Sequence, residues 1–325
     1  MLGSTPVSCG AMARVWPYAA LAACIIFAFS PYSSPAIALV VGMGLSLAFG
    51  NPVAKHASKV SKTLLQVSVV LIGFKMQLMP VLQAGGQGLI FAFVTIVATF
   101  AVAVAVSRWL AVTRGVSVLI ASGTAICGGS AIAAVGATLR SKSEDMAVSI
   151  GTIFLLNSAA LLAFPPLGHL LGLNGEQFGV WAGIAIHDVS SVAGAAKAFG
   201  NGALETAMPV KLSRALWIAP MALVVGRMAM FRDDAGEGKS ALVIPWFIFA
   251  FVAASALATF VPLGAWGEAA QNVGVAGFTV TLFLIGSTIS REALLKVGWR
   301  PIALGMILWV FISGASLTYI LLGGR

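Results

Sequence analysis

Stretches of apolar residues follow one another from residue 16 to the C-terminus, and this pattern leaves few folds open. They lie near residues 16–30, 36–50, 63–82, 88–107, 146–165, 206–226, 241–261, 271–290 and 301–322. A helix needs about 20 apolar residues to cross a hydrocarbon layer of about 30 Å, and most of these stretches approach that length. They are continuous and do not alternate, which excludes a transmembrane β-barrel. Only 9% of the 325 residues are charged, against about 25% in a soluble domain. The longest polar stretch, about Phe231 to Ser240, is too short to be a soluble domain. The chain therefore reads as an all-α polytopic membrane protein, with residues 1–325 forming a single transmembrane domain. Near the start, Arg14, an apolar run and Ala36-Ile-Ala38 resemble a cleavable signal peptide. The apolar run resumes at once through Phe49, so two short spans separated by Pro31 and Pro35 fit better.

Two further segments, about 116–139 and 177–200, are apolar but interrupted. The first carries Ser122-Gly-Thr-Ala-Ile-Cys-Gly-Gly-Ser130; sixty residues on, the second carries Gly183-Ile-Ala-Ile-His-Asp-Val-Ser-Ser191. Gly123/Gly183, Ala125/Ala185, Ile126/Ile186, Ser130/Ser190 and Ala133/Ala193 are identical when the two are superposed, which marks an internal repeat with elements near 116–165 and 177–226. Paired interruptions at corresponding places are the strongest sequence pointer to a transport site. Gly-rich helix packing of the small-xxx-small kind is the alternative, but packing alone does not call for His187-Asp188 at the break.

The net charge of +9 is scattered over short loops and forms no patch, so nucleic acid is not expected as a partner. It informs topology instead. If both interrupted segments span fully, Arg140, Lys142, Lys197 and Arg325 lie outside and the loop Lys and Arg residues divide twelve against four. If both are re-entrant, Arg14, Lys55, Lys59, Lys62, Arg108, Arg114, Arg140, Lys142, Arg227, Arg232, Lys239, Arg291, Lys296 and Arg300 share the cytoplasmic side, and only Lys197 and Arg325 lie outside. The second arrangement satisfies the positive-inside rule more fully, with the N-terminus cytoplasmic and the C-terminus periplasmic. Two arms of about 12 residues reach about 18 Å each, slightly past the midplane. The two hairpins are then inverted copies whose tips meet in mid-membrane. Broken spanning helices remain the competing geometry, and either one puts unwound backbone at membrane depth, where it must be buried or line a watery cavity.

At these same residues the chain resembles the YeiH-type conserved bacterial inner-membrane proteins, a family of proposed sulfate exporters. The resemblance rests on residues 122–129, on Ile186-His-Asp-Val-Ser-Ser-Val192 and on Lys211-Leu-Ser-Arg-Ala-Leu-Trp-Ile-Ala-Pro220. Leu71-Ile-Gly-Phe-Lys75, Ile244-Pro-Trp-Phe247 and Gly286-Ser-Thr288 also fit, so that it covers roughly residues 36–322. The acidic residue after the family's His is Glu or Asp, here Asp188. The resemblance implies an inverted-repeat secondary transporter, related in architecture to antiporters and bile-acid-type carriers. It says more about fold than about ligand.

Charges inside spans are costly and usually functional. Five are candidates: Lys75, Asp188, Lys197, Lys211 and Arg214. A sulfate-like anion calls for free N–H groups, helix N-termini and fixed cations. Gly128, Gly129 and Ser130 supply the first two, and Cys127 sits beside them. Ser190 and Ser191 do the same in the second segment, and Ser122 and Thr124 add hydroxyls. Arg214 can grip two oxygens and Lys75 can act as a point charge. Lys211 lies on the same helix face as Arg214, one turn away, where snorkelling to the interface is the structural alternative. For Lys75, in the middle of 63–82, the alternative is an ion pair with Asp188. His187 and Asp188 suit proton coupling; a structural cap on the second half-helix is the other option. Asn157, Gln66 and Gln77 are candidate cavity-lining groups, and interhelical hydrogen bonding accounts for them equally well.

Cys9, Cys24 and Cys127 show neither a disulfide framework nor a zinc spacing, so no metal is expected. No nucleotide motif is present, so no cofactor is expected and ion or substrate gradients would supply the energy. The leading reading is secondary transport of a small inorganic or sulfur-containing anion, in the direction of export, with proton coupling and homo-oligomerisation left open. The alternative is a cation/proton antiporter that exchanges at Asp188. An intramembrane enzyme using Ser130 or Ser190 with His187 ranks last, because no nucleophile motif accompanies them.

Overall fold

The computed structural model describes residues 8–30, 33–76, 78–227, 246–289 and 297–323, and every regular element among them is an α-helix. The order is α1 (Ser8–Ala28), α2 (Pro35–Phe49), α3 (Ala54–Gly73), α4 (Leu78–Trp109), α5 (Arg114–Ala125), α6 (Gly129–Leu139), α7 (Ser143–Leu170), α8 (Gly175–Ala185), α9 (Val189–Phe199), α10 (Ala203–Ala215), α11 (Ile218–Arg227), α12 (Trp246–Phe260), α13 (Ala265–Ser287) and α14 (Trp299–Leu321). Five described segments are long and apolar enough to cross a membrane: Phe91–Trp109, Glu144–Leu170, Ala203–Arg227, Ala265–Ser287 and Trp299–Leu321. Their outward faces carry bare Phe93, Val94, Val97, Val310 and Leu321, as expected where lipid is the solvent. The molecule is thus a polytopic α-helical membrane protein.

The helices sort into two packed groups. In one, α13 lies against α1, α2 and α3, with α12 on α3. In the other, α10 packs on α8, α4 and α9, α7 on α9 and α5, and α14 on α8, α5, α4 and α7. Small residues let backbones approach closely at these crossings. A Cβ on Gly183 would fall 3.0 Å from the Ala207 carbonyl, so glycine there admits α10 against α8.

Contacts at helix ends sort the loops into two sets. At one end Asn51, after α2, donates to the Ser287 carbonyl at 2.8 Å, and Gly151, early in α7, lies against Val297 just before α14. At the other, Lys75, in the turn between α3 and α4, pairs with Glu268 at the start of α13, and Asn174 and Gln177 at the start of α8 share a pocket with Ile320 and Gly323 at the end of α14.

Two expected boundaries shift. The stretch read as spans 63–82 and 88–107 is instead α3 ending at Gly73 and α4 running unbroken from Leu78. Pro80 looks like a terminator in the sequence, but it is the third residue of α4, where no intrahelical N–H bond is required. The Leu78 amide bonds Thr259 Oγ1 at 2.8 Å instead. The stretch 206–226 is divided at Leu216–Trp217, where the Trp217 amide closes a tight turn on the Arg214 carbonyl at 3.0 Å.

Candidate functional site

Both interrupted segments are broken helices. α5 ends at Ala125 and α6 starts at Gly129; α8 ends at Ala185 and α9 starts at Val189. The backbone turns at Gly128 with φ +69°, a conformation that side chains rarely adopt. A Cβ at Gly128 would lie 3.3 Å from Asp188 Cβ and 3.5 Å from the His187 carbonyl carbon, so the two breaks touch. Gly128 and Asp188 are also corresponding positions of the sequence repeat. The α8–α9 segment folds back on itself: Phe199, at the end of α9, stacks on Phe178, near the start of α8, at 3.9 Å. The His169 ring, at the end of α7, stacks on Phe199 at 4.2 Å.

Each break leaves a carbonyl end and an amide end in a buried setting, and helix ends must find partners there. Helix α10 supplies both carbonyl ends. Lys211 Nζ donates to the Ile186 carbonyl at 2.5 Å. Arg214 donates one Nη to the Ala125 carbonyl and the other to Thr95 Oγ1, the latter at 2.9 Å. Both cationic side chains are fully buried, one helical turn apart. Cations near helix C-termini satisfy the last carbonyls and oppose the dipole, which accounts for two charges kept far from water.

The amide ends are treated differently. Asp188 caps α9: its Oδ1 accepts from the Ser191 amide at 2.8 Å and from the Ser190 hydroxyl at 2.5 Å, and Oδ2 accepts from the Ser191 hydroxyl at 2.7 Å. α6 starts at Gly128 with no side-chain cap; Gly129 is half-buried and Ser130 exposed. His187 is fully buried. Its backbone amide donates to Asn157 Oδ1 at 3.1 Å, but neither ring nitrogen has a hydrogen-bond partner among the described residues. Asn157 Nδ2 and Trp309 Nε1 are likewise unpartnered, and the Trp309 ring centre is 6.4 Å from that of His187. Buried polar groups are rarely left so, and such gatherings mark sites for water, ions or ligand.

Several expected binding residues have partners within the chain. Lys75 does not meet Asp188; it lies in the turn after α3, exposed, 3.6 Å from Glu268. Lys211 neither snorkels nor points at an open hollow, and Arg214 forks onto a carbonyl and a hydroxyl of this chain. Ser122 donates back to the Leu119 carbonyl at 2.8 Å, whereas Thr124 Oγ1 is buried without a partner among the described residues. Cys127 is buried at the first break. Lys197 is exposed in the last turn of α9, Gln66 is half-buried on α3, and Gln77 lies outside the described residues. Sequence reasoning missed Thr95 and Trp309. It also missed the carbonyl targets of Lys211 and Arg214, although cations placed to reach a helix C-terminus are a known signal.

This is a polytopic membrane protein whose buried centre is two touching helix breaks held by one cationic helix. A family profile described as "Conserved hypothetical protein 698" matches residues 9–305. The UPF0324 membrane protein Bd1437 of Bdellovibrio bacteriovorus is 42% identical, over 92% of this chain and 92% of its own. The UPF0324 membrane protein of Bacteroides thetaiotaomicron is 43% identical, over 90% of this chain and 88% of its own. The chain belongs to this family, the YeiH/UPF0324 membrane proteins. No solved structure matches it.

Proposed function

We propose that the protein is a secondary transporter of a small, sulfate-like anion, bound where the two breaks meet, with α5–α6 and α8–α9 acting as inverted re-entrant hairpins. The charge balance at the breaks carries this reading. Each helix end counts for roughly half a unit charge. Two cations and two amide ends, against one carboxylate and two carbonyl ends, leave a surplus of about +1. The uncapped, partly accessible start of α6 is the natural place for an anion to meet that surplus.

Several contacts support the hairpins. The Phe178–Phe199 stack brings both ends of α8–α9 to one face. α4 leaves the face marked by the Lys75–Glu268 pair, and α7 starts beside Val297 on the opposite one, so α5–α6 would enter and leave there. With the positive-inside rule this favours an inner-membrane protein with a cytoplasmic N-terminus and an external C-terminus.

Proton coupling is assigned to His187, the buried imidazole without ring partners, since histidine titrates nearest neutrality. Asp188 is less suited, because its oxygens already take three hydrogen bonds from its own helix. The test is flux into proteoliposomes across sulfate, sulfite, thiosulfate, nitrate and chloride at several pH gradients. Faster flux of one oxyanion, responsive to the gradient, is expected. No anion flux above protein-free vesicles, with dissipation of a sodium or potassium gradient by protons, would replace this reading with cation exchange at Asp188.

A further inference from the structure

The carbonyl ends of broken membrane helices are where coupling cations bind in many transporters. Here neither carbonyl end is open to one. The Ile186 carbonyl holds the Lys211 ammonium and the Ala125 carbonyl holds the Arg214 guanidinium. Both cations come from successive turns of α10, both are fully buried, and Arg214 is tied to α4 as well through Thr95.

We infer that Lys211 and Arg214 are resident counter-ions for the two breaks, so that the protein needs no sodium or other inorganic cation, and that shortening either side chain turns its break into a cation-binding site. The inference deepens the transport reading by defining what the coupling ion is not, and it rests on that reading only for the word coupling; the cation sites themselves follow from the contacts. Each vacated position would select by shape. The Ile186 carbonyl, next to the space left by a lysine tail, would take a primary alkylammonium. The Ala125 carbonyl and Thr95 hydroxyl together would take a planar guanidinium that reaches both acceptors.

The experiment is chemical rescue of stability, measured on purified full-length protein with no added substrate anion, so a failure of anion transport cannot produce or mask the result. Wild-type protein is expected to unfold at the same temperature, within about 1 °C, in sodium, potassium and choline chloride of equal ionic strength, because no cation binds the folded state preferentially. Lys211→Ala should lower the transition by roughly 5 °C or more by orphaning a buried carbonyl. Propylammonium, the missing part of the side chain, should restore at least half of the loss. Ethylguanidinium should do the same for Arg214→Ala, and exchanging the two amines should fail. If a variant yields no folded protein, its recovery when solubilised with and without the matching amine reads the same rescue. Sodium-specific stabilisation of wild-type protein would overturn the inference, as would an Ala variant of full stability or a loss that no cation repairs.

Discussion

The two breaks are related in sequence and meet in space, yet they are finished differently. At the second, every helix end is closed from within the chain: Lys211 takes the carbonyl end of α8 and Asp188 caps α9. At the first, Arg214 takes the carbonyl end of α5, but α6 starts at an uncapped glycine with Ser130 exposed beside it. One break is thus a closed support and the other an open acceptor. Gly128 and Asp188, which hold corresponding places in the two interrupted segments, lie against each other. The carboxylate can reach back over its own helix because its counterpart carries no side chain.

The sharpest way to break this comparison is Arg214→Met. It leaves the buried Ala125 carbonyl without a donor, at about 1–3 kcal/mol, and takes one bond from Thr95 Oγ1, which still donates to the Phe91 and Ala92 carbonyls. A loss of about 2 kcal/mol or more is expected in thermal or denaturant unfolding. Lys211→Met, with one acceptor, should cost less. An equal or reversed order would mean that the breaks are not held independently.

Gly128→Ala tests the contact between the breaks. Alanine at φ +69° costs of order 1–3 kcal/mol in strain, and its Cβ must displace Asp188 from 3.3 Å. Both stability and transport should fall. Unchanged transport would mean that the tips need not touch.

Asp188 separates capping from chemistry. Asparagine caps a helix about as well as aspartate, whereas alanine costs about 0.5–2 kcal/mol. Asp188→Asn is therefore expected to keep its melting temperature while Asp188→Ala loses several degrees. Transport abolished in a fully stable Asp188→Asn would return the carboxylate to the transport step. For His187→Gln the expected result is a small change in melting temperature with loss of the response to a pH gradient. A pH profile identical to wild type would remove His187 from coupling.

How far the sequence could be read follows from what each feature depends on. The spans and both interruptions were legible because hydropathy and Gly-Gly or His-Asp breaks are local signals. The expected segments 116–139 and 177–200 match the broken helices to within a few residues. The partners of the buried cations were not legible. Lys211 and Arg214 look alike whether they face an anion or a carbonyl, and the choice depends on which helix crosses α10, a long-range fact. The turn after α3 was missed for a local reason: a proline that opens a helix and one that closes it look the same without the cap.

Lys75 shows the smallest effect and the clearest contrast with the two buried cations. All three are cations in apolar stretches, but Lys75 sits at a helix end, where its side chain is 46% exposed and its partner Glu268 66% exposed. Pairs this open contribute about 0–1 kcal/mol, and screening puts this one near the low end. Lys75→Gln should therefore shift stability by no more than about 0.5 kcal/mol. Because it lies at the opposite end of α3 from the Asn51 contact and far from the chemistry assigned to the breaks, flux should also be unchanged. A large loss of flux in a stable Lys75→Gln protein would show that anions are first gathered at this turn. In that case burial would not separate the working cations of this chain from the idle one.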